Sequence, residues 1–312
     1  MSGGSSGRLV FAGEAIVDVV MRVPVLPERG GDVLATRSAV TVGGGFNVMA
    51  AAARQGMPVL YAGGHGTGPW GDLVRAALDG EGIGVLRAPD PARDTGFDVA
   101  LVEPDAERTF ITHLGAEALC QAGSWAAVPA GPGDIVYVSG YGLVPDGSGP
   151  VLGHWAATLP DGVLLFLDPG PLAAAIPASV LAPVLGRCDW LSCNEREAAA
   201  LSGASDAECA ARRLRERTAR AQVIVRTGPA GCVLALRADP IVCRIPAPEV
   251  DAVDTTGAGD AHAGVLLAAL AEGHGPAIAA RRANVAAALS VTRHGPACAP
   301  ARGELDQWIA QH

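Results

Sequence analysis

Short apolar runs alternate with alanine-rich runs along much of this 312-residue chain, and glycine or proline separates them. Residues 8–11 predict a first strand, residues 47–55 an alanine-rich helix, and residues 58–63 the next strand. A strand, a helix and a further strand in this order place the two strands parallel, because the helix returns the chain to the same end of the sheet. The pattern therefore predicts an α/β fold with a mostly parallel central sheet flanked by helices.

The later part of the chain continues this alternation. A helix is expected at residues 206–218, and further strands are expected at residues 135–139, 164–168, 190–193, 223–227 and 232–236. Several of these strands end on a polar or small residue just before a loop. In open α/β sheets the carboxyl ends of the strands face the ligand crevice, so the candidate site is expected at that edge.

Two regions depart from the strand–helix order. Residues 15–22 and the alternating residues 32–42 predict strands without a helix between them, and residues 97–103 with 108–113 predict a hairpin. Together they predict a small sheet that forms a lid, with strands from about residues 14–42 and 95–114. An ordinary edge hairpin is the alternative for residues 97–113.

Composition limits the class of protein. The charged fraction of 18% and the hydrophobic fraction of 49% are typical of a globular chain. The net charge of −9 disfavours a nucleic-acid partner, and no apolar run is long enough to favour a membrane partner. Residues 1–7 are expected to be a leader or tag remnant, because they are almost entirely Ser and Gly, and residues 8–312 are expected to form one domain.

Cysteine and histidine usage predicts neither disulfides nor a zinc site. The cysteines number seven, which is odd, and they include no C-x-x-C pair. The histidines show no paired ligand spacing such as H-E-x-x-H. Reduced thiols and a cytoplasmic location are therefore expected.

Residues 254–260 carry the most specific chemistry. In the segment Asp-Thr-Thr-Gly-Ala-Gly-Asp, the small residues Gly257, Ala258 and Gly259 would let backbone N–H groups converge on an anion at a helix start. Asp260 would repel a resting phosphate, so it makes chemical sense as a base that takes a proton from an attacking hydroxyl. The segment predicts phosphoryl transfer. The alternative is a glycine-rich turn with an aspartate near a helix start.

The string D-T-T-G-A-G-D resembles the C-terminal signature of the ribokinase-like, or PfkB, family of carbohydrate kinases. The resemblance implies a three-layer ribokinase-like fold with a small β-sheet lid and a homodimer through that lid. It also implies an ATP-dependent kinase that uses Mg²⁺. Asp260 would be the general base, and the amides of Gly257, Ala258 and Gly259 would form the anion hole.

The acceptor side of the resemblance rests on two segments. Gly43, Gly44, Gly45, Phe46 and Asn47 resemble the N-terminal signature, which implies that the glycines and Asn47 contact the sugar, as would Asp260. Asp18 matches the family's sugar-binding carboxylate. Ribokinase itself has Asn where this chain has Ile16 and Lys where it has Gly44. A deoxy sugar, a ketohexose, a sugar acid or a nucleoside therefore remains open as the acceptor.

The nucleotide side rests on three further matches. The motif from Asn194 to Glu197 resembles N-x-x-E, which implies an ATP contact for Asn194 and a magnesium role for Glu197, directly or through water. Thr227, Gly228 and Gly231 resemble the T-x-G-x-x-G turn that contacts the nucleotide. Asn284 matches a position that lies against adenine, with a solvent-facing polar residue as the alternative. Asp168 is a weaker candidate.

A potassium ion is also compatible with the resemblance. The matching positions are Asp254, Thr256, Ser290, Arg293 and Gly295. Arg108, in the expected hairpin, either reaches a substrate carboxylate or phosphate or is a solvated charge.

Rival functions are a nucleoside kinase of the same fold, a non-catalytic sugar-binding relative and a Rossmann dehydrogenase. The dehydrogenase is disfavoured because no G-x-G-x-x-G follows the first strand. A P-loop kinase and a G-x-S-x-G hydrolase are disfavoured because their motifs are absent from the sequence.

Overall fold

The computed structural model describes residues 7–105, 107–119 and 122–312. Of the expected leader at residues 1–7, only Gly7 is within the described residues, and Cys120 is outside them. The strands are β1 (Leu9–Ala12), β2 (Ala15–Arg22), β3 (Arg37–Gly44), β4 (Val59–Tyr61), β5 (Gly84–Val85), β6 (Phe97–Val102), β7 (Arg108–His113), β8 (Ile135–Ser139), β9 (Leu164–Asp168), β10 (Trp190–Asn194), β11 (Gln222–Arg226), β12 (Cys232–Ala235) and β13 (Val242–Ile245). The α-helices are α1 (Phe46–Arg54), α2 (Pro69–Gly80), α3 (Ala122–Ala126), α4 (Ser148–Ala157), α5 (Ala178–Arg187), α6 (Glu195–Ser202), α7 (Ala207–Arg217), α8 (Ala258–Ala271), α9 (Pro276–Val291) and α10 (Arg302–Gln311).

Nine strands form the main sheet, in the order β13-β12-β11-β10-β9-β8-β1-β4-β5. Pairings from β11 through to β5 are parallel, whereas β12 and β13 add to the edge as antiparallel strands. The parallel majority follows from the helical crossovers, and the antiparallel edge follows from the short connections around β12. The predicted mostly parallel sheet is confirmed.

Helices cover both faces of this sheet. Along β1, Val10 packs in a cluster with residues of α3 to α7, whereas Leu9 and Phe11 pack in a second cluster with residues of α1, α2, α8 and α9. The alternation follows from the strand period of two, which sends successive side chains to opposite faces. The result is the three-layer arrangement expected from the sequence.

The small sheet comprises four strands in the order β3-β2-β6-β7. β2 pairs antiparallel with β3 and parallel with β6, and β6 pairs antiparallel with β7. These strands lie in the segments expected to form the lid. One boundary differs from the prediction, since β3 begins at Arg37 and residues 32–36 are not in a strand.

Helix α2 begins at Pro69. Pro69 occupies the first turn, where its missing N–H costs no hydrogen bond. Among the described residues, no helix is long and apolar enough to cross a membrane. The six described cysteines are free thiols.

Candidate active site

Polar side chains gather where four neighbouring strands of the main sheet end. Ser139 pairs in register with Asp168 at the ends of β8 and β9, and Asn194 pairs with Arg226 at the ends of β10 and β11. This is the carboxyl edge of the parallel strands, where ligands bind in open α/β sheets. The start of α8 and the glycine-rich segment before α1 meet at the same place, as described below.

The start of α8 has the backbone geometry that its sequence predicts. Gly257 is the residue before the helix and has φ of +74°, and a Cβ there would lie 1.9 Å from the Pro296 carbonyl oxygen. Only glycine therefore fits this position. The Ala258 N–H donates a long 3.4 Å bond to the Thr255 carbonyl. N–H groups in the first turn have no partner within the helix and can face an anion.

Asp260 lies in the first turn of α8 and contacts a distant part of the chain. The Asn47 side-chain amide donates to its carboxylate, with 3.0 Å between Nδ2 and Oδ2. Desolvation of the carboxylate raises the pKa of Asp260 to about 6, and Asp168 adds to the rise while Asn47 and Arg226 oppose it. A carboxylate with a pKa near 6 is ionised at neutral pH and is a better base than an ordinary aspartate.

Asp18 lies on β2, and its side chain reaches the space over Gly43 of the neighbouring strand β3. A Cβ on Gly43 would lie 2.0 Å from the Asp18 Oδ2 atom, so the glycine provides the space for this carboxylate. Burial raises the pKa of Asp18 to about 7, with further contributions from Asp98 and Asp260. The expected acceptor residues Asp18, Gly43, Gly44, Gly45 and Asn47 therefore lie together, on the same side as Asp260.

Two further carboxylates belong to this region and were not predicted as site residues. Asp98, on β6, is in register with Asp18, and burial raises its pKa to about 6. Glu14 follows β1, and its Oε1 atom accepts a hydrogen bond of 3.1 Å from Ser139. Burial raises the pKa of Glu14 to about 7. Only the spatial pairing of β2 with β6 reveals Asp98, because nothing in its local sequence marks it.

Arg226 is the central cation of the site, although no sequence motif predicted an individual role for it. Its guanidinium contacts the Asp168 carboxylate at 2.8 Å and Glu197 at 3.4 Å, and it also donates to the Ser192 hydroxyl. Burial lowers the pKa of Arg226, but Asp168 and Glu197 raise it by more, so the side chain stays charged. A Cβ on Gly259 would lie 3.5 Å from this guanidinium, which places Arg226 beside the expected anion hole.

Asn194 and Glu197 form a reciprocal cap at the start of α6. The Asn194 side chain accepts from the Glu197 N–H at 2.9 Å, and the Glu197 carboxylate accepts from the Asn194 N–H at 2.7 Å. Burial raises the pKa of Glu197, and Asp168 raises it further. No cluster of three or more metal-binding side chains occurs in the described part of the chain. Magnesium keeps several waters and binds substrate phosphates, so Glu197 and Asp168 fit it as carboxylates that act through water.

The expected potassium ligand Asp254 is already surrounded by donors. Its Oδ1 accepts from Arg108 at 2.8 Å and from the Thr256 N–H and hydroxyl, and its Oδ2 accepts from the Gly295 N–H at 3.1 Å. Burial acts to raise the pKa of Asp254, but these hydrogen bonds and the charge of Arg108 together lower it. The carboxylate therefore fits a bound arginine better than a bound potassium ion.

The side chains at two other expected potassium positions, Ser290 and Arg293, bond to groups other than Asp254. The Ser290 hydroxyl donates to the Ala287 carbonyl at 2.8 Å, which is a bond within α9. The Arg293 guanidinium pairs with Glu304 on α10. The charge of Arg293 is therefore compensated by Glu304.

Thr227, Gly228 and Gly231 form the turn that joins β11 to β12. The Thr227 N–H donates to the Gly231 carbonyl at 2.8 Å. A Cβ on Gly231 would lie 2.1 Å from the Ile245 carbonyl oxygen, so the turn packs closely on the end of β13. This contact links the turn to a neighbouring cleft.

The cleft has a volume of about 340 Å³ and is predominantly apolar. Its lining residues are Ile245, Pro246, Ala277, Ile278 and Arg281. Asn284 is 2% exposed and donates to the Ile245 and Pro246 carbonyls, so the solvent-facing alternative is wrong, whereas its contact with adenine stays a prediction. Asn284 therefore holds the wall of this cleft. No sequence motif indicated this cleft, and the exposure of Ile278 near the start of α9 is known only from the structure.

A second cavity, of about 500 Å³, is lined in part by Trp70, Phe97 and His113. Phe97 and His113 adjoin Asp98 and Thr112 along their strands and so face the opposite side of the small sheet. This larger cavity is therefore separate from Asp260.

The fold and motifs match known proteins over nearly the whole chain. Residues 6–302 match the pfkB family of carbohydrate kinases. An uncharacterized sugar kinase, YegV, of Escherichia coli (strain K12) is 36% identical over 302 residues, with 95% of this chain and 92% of that protein covered. Ribokinase of Arabidopsis thaliana is 28% identical over 306 residues, with 92% and 76% covered.

Solved structures give the same result. Ribokinase from Thermotoga maritima superposes with a TM-score of 0.83 at 26% identity, covering 97% of this chain and 99% of that one. Arabidopsis thaliana ribokinase complexed with ribose and ATP superposes with a TM-score of 0.80 at 25% identity, covering 97% and 98%. The predicted ribokinase-like fold and the predicted class of enzyme are confirmed. The chain therefore belongs to the pfkB family of carbohydrate kinases, and it is a sugar kinase.

Proposed function

We propose that this kinase transfers the γ-phosphoryl group of ATP to a hydroxyl of a small sugar or sugar-like acceptor, with Asp260 as the general base. The observation that carries the proposal is the position of Asp260 in the first turn of α8, next to the glycine-rich backbone and bonded to Asn47. The acceptor oxygen attacks the γ-phosphorus, its proton passes to Asp260, and the bond from phosphorus to the ADP oxygen breaks.

The anion hole is assigned to the backbone of Gly257, Ala258 and Gly259, with Arg226 beside it. Charge spreads over the transferred oxygens in the transition state, and N–H groups fixed by the fold stabilise that charge without reorganisation. Arg226 is held by Asp168 and Glu197, so it keeps its orientation through the reaction.

The nucleotide is assigned to the edge of the main sheet from Asn194 across the Thr227 turn to the apolar cleft beside Ile278. The cleft offers an apolar surface for a flat base, and the turn packs against its wall. Bound magnesium would neutralise phosphate charge, and Glu197 and Asp168 are the residues that would orient its waters. A chain of net charge −9 needs such a cation, because its overall field repels ATP.

The resemblance allows a potassium ion beside Asp254. We propose that the Arg108 guanidinium supplies the positive charge there instead. Its ion pair with Asp254 supports this assignment, because the guanidinium already satisfies the Oδ1 atom of that carboxylate. A monovalent cation is therefore not assigned to this kinase.

A homodimer through the small sheet is part of the proposal, as is a cytoplasmic location. One row of the sheet, on the face opposite to Asp18, consists of Val40, Val19, Val99 and Ile111. Val40 and Ile111 are 51% and 64% exposed, so this row offers an apolar surface to a second copy. Light scattering of the purified protein tests the dimer.

The function is tested by a panel of sugars and nucleosides with MgATP, read by ADP release. Acceptor-dependent ADP release supports the kinase assignment. A non-catalytic sugar-binding protein would bind an acceptor in calorimetry but would release no ADP above the background of the Asp260→Asn variant.

A further inference from the structure

A single row of polar side chains crosses all four strands of the small sheet. Thr41, Asp18, Asp98 and Thr112 are successive neighbours in the strand register. Residues of one row project from the same face. The adjacent rows on that face contain small or apolar residues, namely Ala39, Val20, Ala100 and Phe110 on one side and Gly43 and Ile16 on the other. The polar row is therefore a distinct feature of this face.

This row faces the acceptor side of the site. Asp18 and Asp260 lie close enough that the charge of Asp260 raises the pKa of Asp18. Asp98 is only 7% exposed, yet its Oδ1 atom has no hydrogen-bond partner, and neither has the buried Thr41 hydroxyl. Asn47 on α1 similarly has a buried Oδ1 without a donor. Buried acceptors are normally satisfied, so these atoms point to a ligand that brings donors.

Four carboxylates lie in this region of the described chain. Glu14, Asp18, Asp98 and Asp260 are all carboxylates, and desolvation is the largest cause of the raised pKa of each. The two nearby arginines are engaged elsewhere, Arg226 with Asp168 and Glu197, and Arg108 with Asp254. The acceptor region therefore combines unfilled hydrogen-bond acceptors with negative charge.

Two carboxylates side by side on adjacent strands destabilise a sheet unless something compensates them. A hydroxyl-rich ligand would do so, because neighbouring hydroxyls can each donate to a separate carboxylate. An anionic ligand would add a further like charge to a partly desolvated cluster, where repulsion is stronger than in water.

We propose that Asp98 and Asp18 together bind the acceptor as a two-carboxylate grip, which selects an uncharged, hydroxyl-rich acceptor and excludes sugar acids and sugar phosphates. This inference rests on the proposed function, because it concerns the acceptor of that same site. It assigns to Asp98 a role in specificity, and it removes the sugar acid from the acceptors that the sequence left open.

The test compares acceptors that differ in charge but are similar in size. A pentose, a ketohexose and a nucleoside form the neutral group, and an aldonic acid, a 2-keto aldonic acid and a sugar phosphate form the anionic group. Binding is measured by calorimetry with the non-hydrolysable ATP analogue and magnesium present, and turnover is measured separately by ADP release. At least one neutral acceptor should bind tenfold or more tightly than every anionic one, roughly the discrimination that electrostatic mismatch gives.

The Asp98→Asn variant tests the residue itself. It should bind the preferred neutral acceptor about tenfold more weakly, and its preference for neutral over anionic acceptors should fall by a similar factor. A purely structural role would weaken both groups equally and leave their ratio unchanged. Asp79→Asn is the matched control, because Asp79 is exposed on α2 and the substitution removes the same charge.

Two outcomes overturn the inference. One is an anionic acceptor that binds as tightly as the best neutral acceptor, and the other is an unchanged neutral-to-anionic ratio in Asp98→Asn. Absence of ADP release with every acceptor would instead contradict the proposed kinase function, while the calorimetric preference would still decide the role of Asp98.

Discussion

Asn47 and Asp260 are 213 residues apart in the chain, and their side chains form a hydrogen bond of 3.0 Å between Nδ2 and Oδ2. The bond connects the start of α1 with the start of α8, and it fixes the direction of the Asp260 carboxylate. Because the amide donates to one oxygen, the other oxygen is left for a proton. The Asn47 Oδ1 atom has no protein partner, so it is free to accept from an acceptor hydroxyl.

Replacement of Asp260 by Asn should reduce kcat by about 10² to 10⁴-fold, which is the usual contribution of a general base. Binding of ATP and of the acceptor should change by less than about threefold, because the amide keeps the shape of the side chain. Steady-state ADP release and calorimetry measure the two effects. Near-normal turnover in this variant would exclude Asp260 as the base.

The pH dependence of kcat/KM should show an acid limb. Asp260 has a pKa of about 6 and must be ionised to accept a proton, so activity should fall as the pH drops through about 6. Asp18 has a pKa of about 7 and binds hydroxyls best as a carboxylate. The decline in kcat/KM should therefore be steeper than the titration of a single group would give. Initial rates from pH 5 to 9 at constant ionic strength test this, and a flat profile below pH 7 contradicts it.

The unliganded protein should gain stability when Asp98 becomes Asn, but only above about pH 6. The folded-state pKa of Asp98 is raised above the unfolded value of 3.8, so the folded state favours the protonated form. Its stabilising contribution is present below pH 4 and is lost as the pH rises through about 6. The variant should match the wild type at pH 4 and exceed it at pH 8 by on the order of 1 kcal/mol. Chemical denaturation at both pH values measures the difference, and a variant equally or more destabilised at pH 8 would contradict the expectation.

Substitution of Ile278 by Glu should weaken ATP binding by about tenfold or more, because it places a charge in the apolar cleft. Acceptor binding should be unaffected. Ile241→Glu is the control, since Ile241 is 72% exposed and precedes β13 at the end opposite to Ile245. Equal ATP affinity in the two variants would place the nucleotide's adenine ring outside this cleft.

The wild-type enzyme should not need potassium. Replacing potassium with tetramethylammonium at constant ionic strength should change turnover by less than about twofold, because Arg108 already neutralises Asp254. Arg108→Ala should lose about tenfold in turnover and regain part of it with added potassium, which can pair with the exposed carboxylate. Arg244→Ala is the control, since it removes an exposed arginine that pairs with Glu208. A wild-type enzyme that is inactive without potassium would contradict the assignment.

Features that depend on a short continuous segment of the chain could be predicted from the sequence. The start of α8 depends on residues 254–260 alone, because the left-handed turn at Gly257 and the helix that follows are local properties. The strand–helix order was sufficient for the main sheet, since helical crossovers dictate parallel pairing. The hairpin of β6 and β7 was predictable because a polar turn separates two alternating runs.

Features that depend on distant contacts could not be predicted. The side chains of Phe97, Asp98 and Val99 point alternately to the two faces of β6, but the sequence does not predict which face meets the acceptor. The role of Asp98 depends on its register with Asp18, and the ion pair of Arg108 depends on the packing of β7 near α8. The burial of Asn284 was unpredictable for the same reason, since its hydrogen-bond partners belong to the end of β13 and the residue that follows it.

The ion pair between Arg108 and Asp254 joins β7 of the small sheet to the loop that precedes α8. Any motion that lifts β7 to admit an acceptor must separate these charges, and any motion that closes the small sheet restores them. Opening is thus coupled to the loop that carries the anion hole, and its energetic cost falls as ionic strength rises. Salt concentration should accordingly act on the exchange of substrate and product rather than on the transfer of the phosphoryl group.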